Sequence, residues 1–224
     1  MGIRGFIFDF DGLIIDTETP HFQAWEEVYD GYGVRFPAEL LMAEIGTSEG
    51  KFDPVEYLQA FVSHPLDREN IILFKRQRTM DLVKARPILP GVMNYLAYAK
   101  LNDLHIGLAS SSSRTWVENH LRSRNLLDRF ECVFTADDVK YTKPDPELFS
   151  LAISRLNIFP NEALILEDSP HGVTAAKKAG ANCIAVATDY SRLMDLSSAD
   201  IIINSLAELE PADAIQIFNR PITN

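Results

Sequence analysis

The sequence predicts an α/β fold: a doubly wound parallel sheet with helices on both faces, interrupted after its first strand by a helical insertion. Three observations carry this. From Pro87 onward, short apolar runs alternate with stretches of helical periodicity, the pattern of successive strand and helix units. Residues 17–86 show helical spacing and no convincing strand. The polar clusters at Asp9/Asp11, from Ser110 onward, and at Glu167/Asp168 all fall at the ends of expected strands. Open parallel sheets bind their ligands there.

The first strand is Gly5-Phe6-Ile7-Phe8, an unbroken apolar run of the kind buried on both faces. It runs into Asp9-Phe10-Asp11-Gly12. Residues two apart in a strand share a face, so Asp9 and Asp11 are expected in one crevice, and Gly12 lets the chain turn away. Neighbouring carboxylates repel, so the stretch is either an acidic turn or a pair reconciled by a divalent cation. In the insertion, Pro20 opens a helix carrying Phe22, Trp25, Val28 and Tyr29. Pro37 opens a second with Leu40, Leu41 and Ile45, broken by the stretch 46–50. Val55, Leu58, Phe61 and Val62 mark a third, and Ile71, Leu73, Phe74, Met80 and Val83 a longer fourth. This reads as a small bundle with its aromatic residues in the core.

After the insertion come a helix over 91–100, a strand over 104–109 ending in four serines, and a helix over 116–125. A short strand at Cys132-Val133-Phe134 follows, then Lys143-Pro144-Asp145-Pro146 ahead of a helix over 147–156. Ala163-Leu164-Ile165-Leu166 is a strand ending in Glu167-Asp168, and a helix over 171–179 is closed by Gly180. Strands over 182–186 and 200–203 and a helix over 206–218 complete the chain. The expected division is a core of 1–16 and 87–224 around an inserted unit of 17–86.

A formal charge of −11 argues against nucleic-acid backbones and anionic membranes as partners. No stretch approaches the roughly 20 apolar residues of a membrane span, and no secretory signal is visible. Cys132 and Cys183 sit in apolar contexts without a metal-ligand spacing, which reads as two reduced thiols and a cytoplasmic protein. No exposed apolar stripe forces association, so a monomer is expected.

Asp9-Phe10-Asp11-Gly12-Leu13, the strand ending at Ser110, Lys143-Pro144-Asp145-Pro146, and Glu167-Asp168-Ser169 with Gly172 resemble, in order, the four motifs of the haloacid dehalogenase (HAD) superfamily. Within it the chain resembles the β-phosphoglucomutase-like group of sugar-phosphate phosphatases and mutases. The resemblance implies a Rossmann-like core with an inserted helical cap. It implies Asp9 as a nucleophile that forms an aspartyl-phosphate, and Asp11 as general acid and base. It implies Mg²⁺ held by the Asp9 carboxylate, the Asp11 backbone carbonyl and Asp168, with Glu167 close by. Ser110 and Ser111 would bind phosphoryl oxygens, and Lys143 would neutralise charge on the nucleophile and the phosphoryl group. His21 matches a cap-entry histidine of the mutases and, with Thr17, is the candidate contact from the cap. Read without the family, Ser110 is a helix N-cap, Lys143 a surface lysine, Glu167-Asp168 a turn and His21 a helix-start residue. His64, His105, His120 and His171 read as structural or solvated.

Within that superfamily, dehalogenases and phosphonate hydrolases lack the second aspartate, so the presence of Asp11 argues against both. The mutases carry a distal-phosphate arginine in the cap loop. The matching stretch here, Glu44-Ile45-Gly46-Thr47-Ser48-Glu49, has a glutamate in its place, leaving Lys51, Arg76 and Arg78 as possible substitutes. The expected activity is a Mg²⁺-dependent phosphatase acting on a small phosphate ester such as a sugar phosphate. A phosphosugar mutase and a non-enzymatic binding module are the alternatives.

Overall fold

A computed structural model describes residues 2–42 and 52–219. The six strands expected from the sequence are present: β1 (Gly5–Phe8), β2 (His105–Ala109), β3 (Cys132–Phe134), β4 (Ala163–Glu167), β5 (Asn182–Val186) and β6 (Ile201–Ile203). They form one sheet in the order β3-β2-β1-β4-β5-β6, and every pairing is parallel. The chain winds outward from β1 on one side and then crosses to β4 on the other. The order therefore reverses beside β1, and a crevice opens beyond the carboxyl ends of β1 and β4.

The alternation of side chains along β1 divides the core. Phe6 and Phe8 pack with α5 (Val92–Leu101), α6 (Arg114–Ser123) and α9 (Pro211–Asn219) on one face. Ile7 packs with α7 (Glu147–Arg155) and α8 (Pro170–Lys178) on the other. All four residues of β1 are buried, as an apolar run without alternation requires. Both cysteines are free thiols, Cys183 buried and Cys132 half-buried.

The inserted segment forms α1 (Glu18–Asp30), α2 (Ala38–Met42), α3 (Pro54–Gln59) and α4 (Arg68–Lys84). They share a separate apolar cluster built on Phe22, Trp25, Tyr29, Phe36, Val55, Leu58 and Ile71. Tyr190 of the core joins that cluster by stacking on Phe22, with ring centroids 4.4 Å apart. The two crossings between core and insertion run side by side. Ile15 bridges Ile88, the Leu89 N–H donates to the Ile14 carbonyl at 2.9 Å, and Arg86 lies 3.6 Å from Asp16.

Four expectations need correction. The first helix begins at Glu18, ahead of Pro20, because the Asp16 carboxylate accepts from the Thr19 N–H at 2.9 Å and caps its start. The segment after β6 is a turn of 3₁₀-helix followed by α9, because Pro211 lacks an N–H and starts a helix rather than continuing one. The third helix stops at Gln59, leaving Phe61 exposed. In α4 the residues Leu73, Phe74 and Met80 are exposed, and the buried stripe is Ile71, Lys75, Thr79 and Val83. That stripe is half polar because α4 faces the crevice as well as its own bundle. The expected contribution of Ile45 and the break at 46–50 lie outside the described residues.

Gly91 stands at the N-terminus of α5 with φ +88°, and a Cβ there would meet the Leu206 carbonyl carbon at 2.3 Å. Gly91→Ala should therefore cost about 2–4 kcal/mol of stability, from left-handed strain together with a backbone clash. Urea unfolding checks this: the midpoint should fall markedly with little change in slope, and an unchanged midpoint would contradict this packing of Gly91 against Leu206.

Candidate active site

The strand-end residues and the inserted helices enclose a cavity of about 630 Å³. The core supplies Asp9, Asp11, Ser110 to Ser113, Trp116, Lys143, Glu167, Asp168 and Ser169 to its wall. The insertion supplies Thr17, Glu18, His21, Phe22 and Leu41, with Lys75, Arg76, Thr79 and Met80 from α4. Asp9, Asp11, Thr17, His21, Ser110, Ser111, Lys143, Glu167 and Asp168, the residues given site roles by the family resemblance, thus all line one cavity.

Its floor is a buried charge cluster. Lys143 is 2% exposed and its ammonium donates to the Asp9 carboxylate and, at 2.6 Å, to Glu167 Oε1. The other Glu167 oxygen accepts from the Asp168 and Ser169 N–H groups at 2.7 Å, and Ser169 caps α8 through the Gly172 N–H. Glu167 is thereby fixed by the start of a helix, whose N–H groups favour negative charge. Gly172 is required beneath it, since a Cβ there would lie 1.7 Å from Glu167 Oε1. Gly12, with φ +77°, is required beside Asp168, where a Cβ would lie 2.0 Å from Oδ2.

Asp9, Glu167 and Asp168 offer oxygens within 4.8 Å of one another, and all three residues are buried. Burial pushes the Asp9 carboxyl up to about 8, with Glu167 and Asp11 adding to the rise and Lys143 opposing it. Burial likewise raises Asp168 well above the usual carboxylate range. Lys143 is raised in spite of its burial, because Asp9 and Glu167 both hold its proton. One lysine does not balance this many acids in a low-dielectric site. Asp168 Oδ2 is moreover buried without a hydrogen-bond partner. An orphan carboxylate oxygen among hard oxygen donors fits a divalent cation.

Asp11 stands apart from that cluster. Its Oδ2 accepts from Ser112 Oγ at 2.7 Å and from Ser110 Oγ at 3.3 Å, and its Oδ1 from the Trp116 indole N–H at 2.9 Å. Ser110 is 1% exposed and its hydroxyl also accepts from the Ser112 N–H. The N-cap of α6 is Ser113, not Ser110, so the capping alternative for Ser110 does not hold.

On the cap side, the Lys75 ammonium lies 2.7 Å from His21 Nδ1. Burial, then the Lys75 charge, lowers His21 to about 3, so the ring is neutral and accepts the hydrogen bond. Burial lowers Lys75 to about 8 and raises Glu18 to about 7, with Asp11 and Asp16 adding to the latter. Among the described residues, the buried side-chain polar atoms without a partner are Thr17 Oγ1, Thr79 Oγ1, Ser111 Oγ and Asp168 Oδ2. All four residues line this cavity. Native interiors leave few polar groups unpaired, so four around one cavity mark a place where a polar ligand completes the bonding.

Sequence reasoning missed Glu18, Lys75, Thr79, Ser112 and Trp116. A lysine and a threonine at spacing four within an apolar helical pattern were the available signal for the α4 pair. Of the cations that could replace the missing arginine, Arg78 is taken by Glu27 through two bonds of 2.7 and 2.9 Å. Arg76 lines the cavity. Lys51 and the stretch 44–49 lie outside the described residues. No helix among the described residues is long and apolar enough to cross a membrane.

Comparison with known proteins places the chain among phosphatases and related enzymes. YhcW of Bacillus subtilis (strain 168), named a putative phosphatase, is 40% identical over 210 residues, covering 94% of this chain and 95% of that protein. The phosphorylated carbohydrates phosphatase of Thermotoga maritima is 33% identical across 78% of this chain and 80% of its own. The crystal structure of β-phosphoglucomutase from Clostridium difficile superposes with a TM-score of 0.76 at 26% identity, covering 97% of each chain. The profile of the haloacid dehalogenase-like hydrolases matches residues 6–186, which span all four motif segments and the cap, and the chain belongs to that family.

Proposed function

We propose that the protein is a Mg²⁺-dependent phosphatase that hydrolyses a small phosphorylated metabolite, a sugar phosphate, through an aspartyl-phosphate. The observation that carries this reading is the buried Asp9–Lys143–Glu167 cluster beside an orphan Asp168 oxygen, on the wall of a cavity holding three further unpaired hydroxyls. Relatives that act on phosphorylated carbohydrates support the substrate class.

Asp9, Asp168 and the Asp11 backbone carbonyl would hold the cation, with Glu167 beside them. When bound, Mg²⁺ supplies positive charge to the phosphoryl oxygens and the nucleophile. The other roles belong to the chain itself. Asp9 attacks phosphorus as the bond to the leaving oxygen breaks, and Asp11 gives that oxygen its proton. Asp11 then takes a proton from water as the water attacks the aspartyl-phosphate, which releases inorganic phosphate and restores Asp9. Ser110 and Ser111 donate to the phosphoryl oxygens, and Lys143 opposes the rise that burial imposes on Asp9, so that with the cation's charge added Asp9 can act as a carboxylate. The unit 17–86 acts as a cap on a core of 1–16 and 87–224. It excludes bulk water and lends Thr17, His21 and Lys75 to the leaving group. The paired crossings at Ile15–Ile88 and Asp16–Arg86 are where it would hinge. The charge of −11 favours local recognition of a small anion over a nucleic-acid partner, and a monomer suffices because one chain supplies the whole cavity.

A phosphosugar mutase is the second reading, favoured by the position of His21 in the cavity wall. It would need a bisphosphorylated sugar as activator and release little phosphate.

Phosphate release from a panel of sugar phosphates tests the proposal. Activity should require Mg²⁺, vanish with chelator and fall roughly a thousandfold or more in Asp9→Asn. Release that persists in the variant would overturn the assignment of Asp9, and silence on every ester would favour the mutase.

The His21–Lys75 pair predicts a pH effect on stability. The folded-state value of His21, about 3, lies below its unfolded value of 6.5. Its contribution is therefore present above about pH 6.5 and lost as pH falls towards 3, since the unfolded chain takes the proton first. His21→Gln should lose roughly 1–3 kcal/mol less than the native protein over that fall. Chemical unfolding at several pH values measures the difference, and parallel curves for the two proteins would refute it.

A further inference from the structure

Asp11 is held by a set of donors that are not equivalent. Ser110 and Ser112 reach Oδ2 with hydroxyls, at 3.3 and 2.7 Å, while Trp116 reaches Oδ1 with an indole N–H at 2.9 Å. A hydroxyl both donates and accepts, so it can turn to face a protonated carboxyl. An indole N–H only donates. Trp116 itself is fixed from below: it stands on α6, and its ring meets His120 edge-on with centroids 4.3 Å apart. His120 in turn stacks on Phe10, the residue between the two aspartates.

We propose that Trp116 is a positioning residue for Asp11: its N–H keeps Oδ1 an acceptor, so that the carboxyl presents Oδ2 as the oxygen that passes the proton to the leaving group. This rests on the reading of Asp11 as the general acid given above. In that step the Asp9 oxygen bonds to phosphorus, the bond from phosphorus to the leaving oxygen breaks, and the proton on Asp11 Oδ2 moves to the leaving oxygen, which departs as an alcohol. The asymmetry has a purpose during binding. Ser110 is the group expected to turn its hydroxyl to a phosphoryl oxygen, and in doing so it gives up its bond to Asp11. The Trp116 N–H has a single hydrogen atom to give and gives it to Asp11, so it holds the carboxylate in place while Ser110 changes partners. Trp116 has no bond to the phosphoryl group in this scheme, and its removal should weaken leaving-group protonation without weakening attack by Asp9.

The test is the dependence of kcat/KM on the leaving group, which reads the steps up to formation of the aspartyl-phosphate. The probes are p-nitrophenyl phosphate, phenyl phosphate and glycerol 2-phosphate, whose leaving groups need a proton to an increasing degree. Trp116→Phe and Trp116→Met are run in parallel, since both fill the space without an N–H, and Trp116→His restores a ring donor. Thermal unfolding of each variant shows which are folded. In the Phe and Met variants, kcat/KM should fall about tenfold or more on glycerol 2-phosphate and less than about threefold on p-nitrophenyl phosphate. The His variant should recover part of the loss. Equal losses on all three esters would show a merely structural Trp116 and overturn the proposal, as would no loss at all. Asp11→Asn separates this from the reading beneath it. If that variant keeps the shallow leaving-group dependence of the native protein, Asp11 is not the acid and both fall. If its dependence is steep while those of the Trp116 variants stay shallow, only the role of Trp116 falls.

Discussion

The ammonium of Lys143, buried between Asp9 and Glu167, is the interaction on which the rest of the site depends. A lysine at 2% exposure is tolerated only where carboxylates hold it, and carboxylates so deep are tolerated only where something positive faces them. The fold meets both demands by bringing three distant segments to one point. The end of β1 carries Asp9, the end of β4 carries Glu167, and the loop before α7 carries Lys143. Removing the lysine would leave two uncompensated acids in the core. The same cluster explains the two glycines. Gly12 and Gly172 stand where any side chain would enter the carboxylates of Asp168 and Glu167.

That balance is incomplete in the protein alone, and the imbalance is informative. Asp9 and Asp168 are both driven towards their neutral forms by burial. Two buried acids beside a single lysine leave the cluster short of positive charge, and a further cation would complete it. Asp11 is the contrast. It lies on the same segment two residues on, yet its oxygens are met by two hydroxyls and an indole rather than by other acids. Two carboxylates with different surroundings can do different work in one reaction.

Much of this was legible in the sequence, because a parallel sheet ties chemistry to strand ends. The apolar runs at 5–8, 104–109 and 163–166 put the residues that follow them at neighbouring strand ends, in one crevice, whatever the helices do. The cap was less legible, for a physical reason. Helical periodicity says that a face is covered, not what covers it. Leu73 and Phe74 looked like core residues but face outward, while Lys75 and Thr79 lie on the buried stripe because that stripe borders the cavity. Trp116 and Ser112 escaped for a related reason. Their roles come from the turn between β2 and α6, whose direction no periodicity fixes. The final helix differs more simply: its apolar pattern extends back to Leu206, but Pro211 sets its start.

The central claim is that Asp9 carries the phosphoryl group between substrate and water. Rapid quenching of the Asp11→Asn variant with p-nitrophenyl phosphate and Mg²⁺, followed by peptide mass spectrometry, tests it most directly, because the base needed to clear the intermediate is missing while the leaving group needs no acid. A single phosphoryl group should appear on the peptide containing Asp9 and be absent when Asp9 is also replaced by Asn. Turnover without any covalent phosphoryl group, or with one on a different residue, would contradict it.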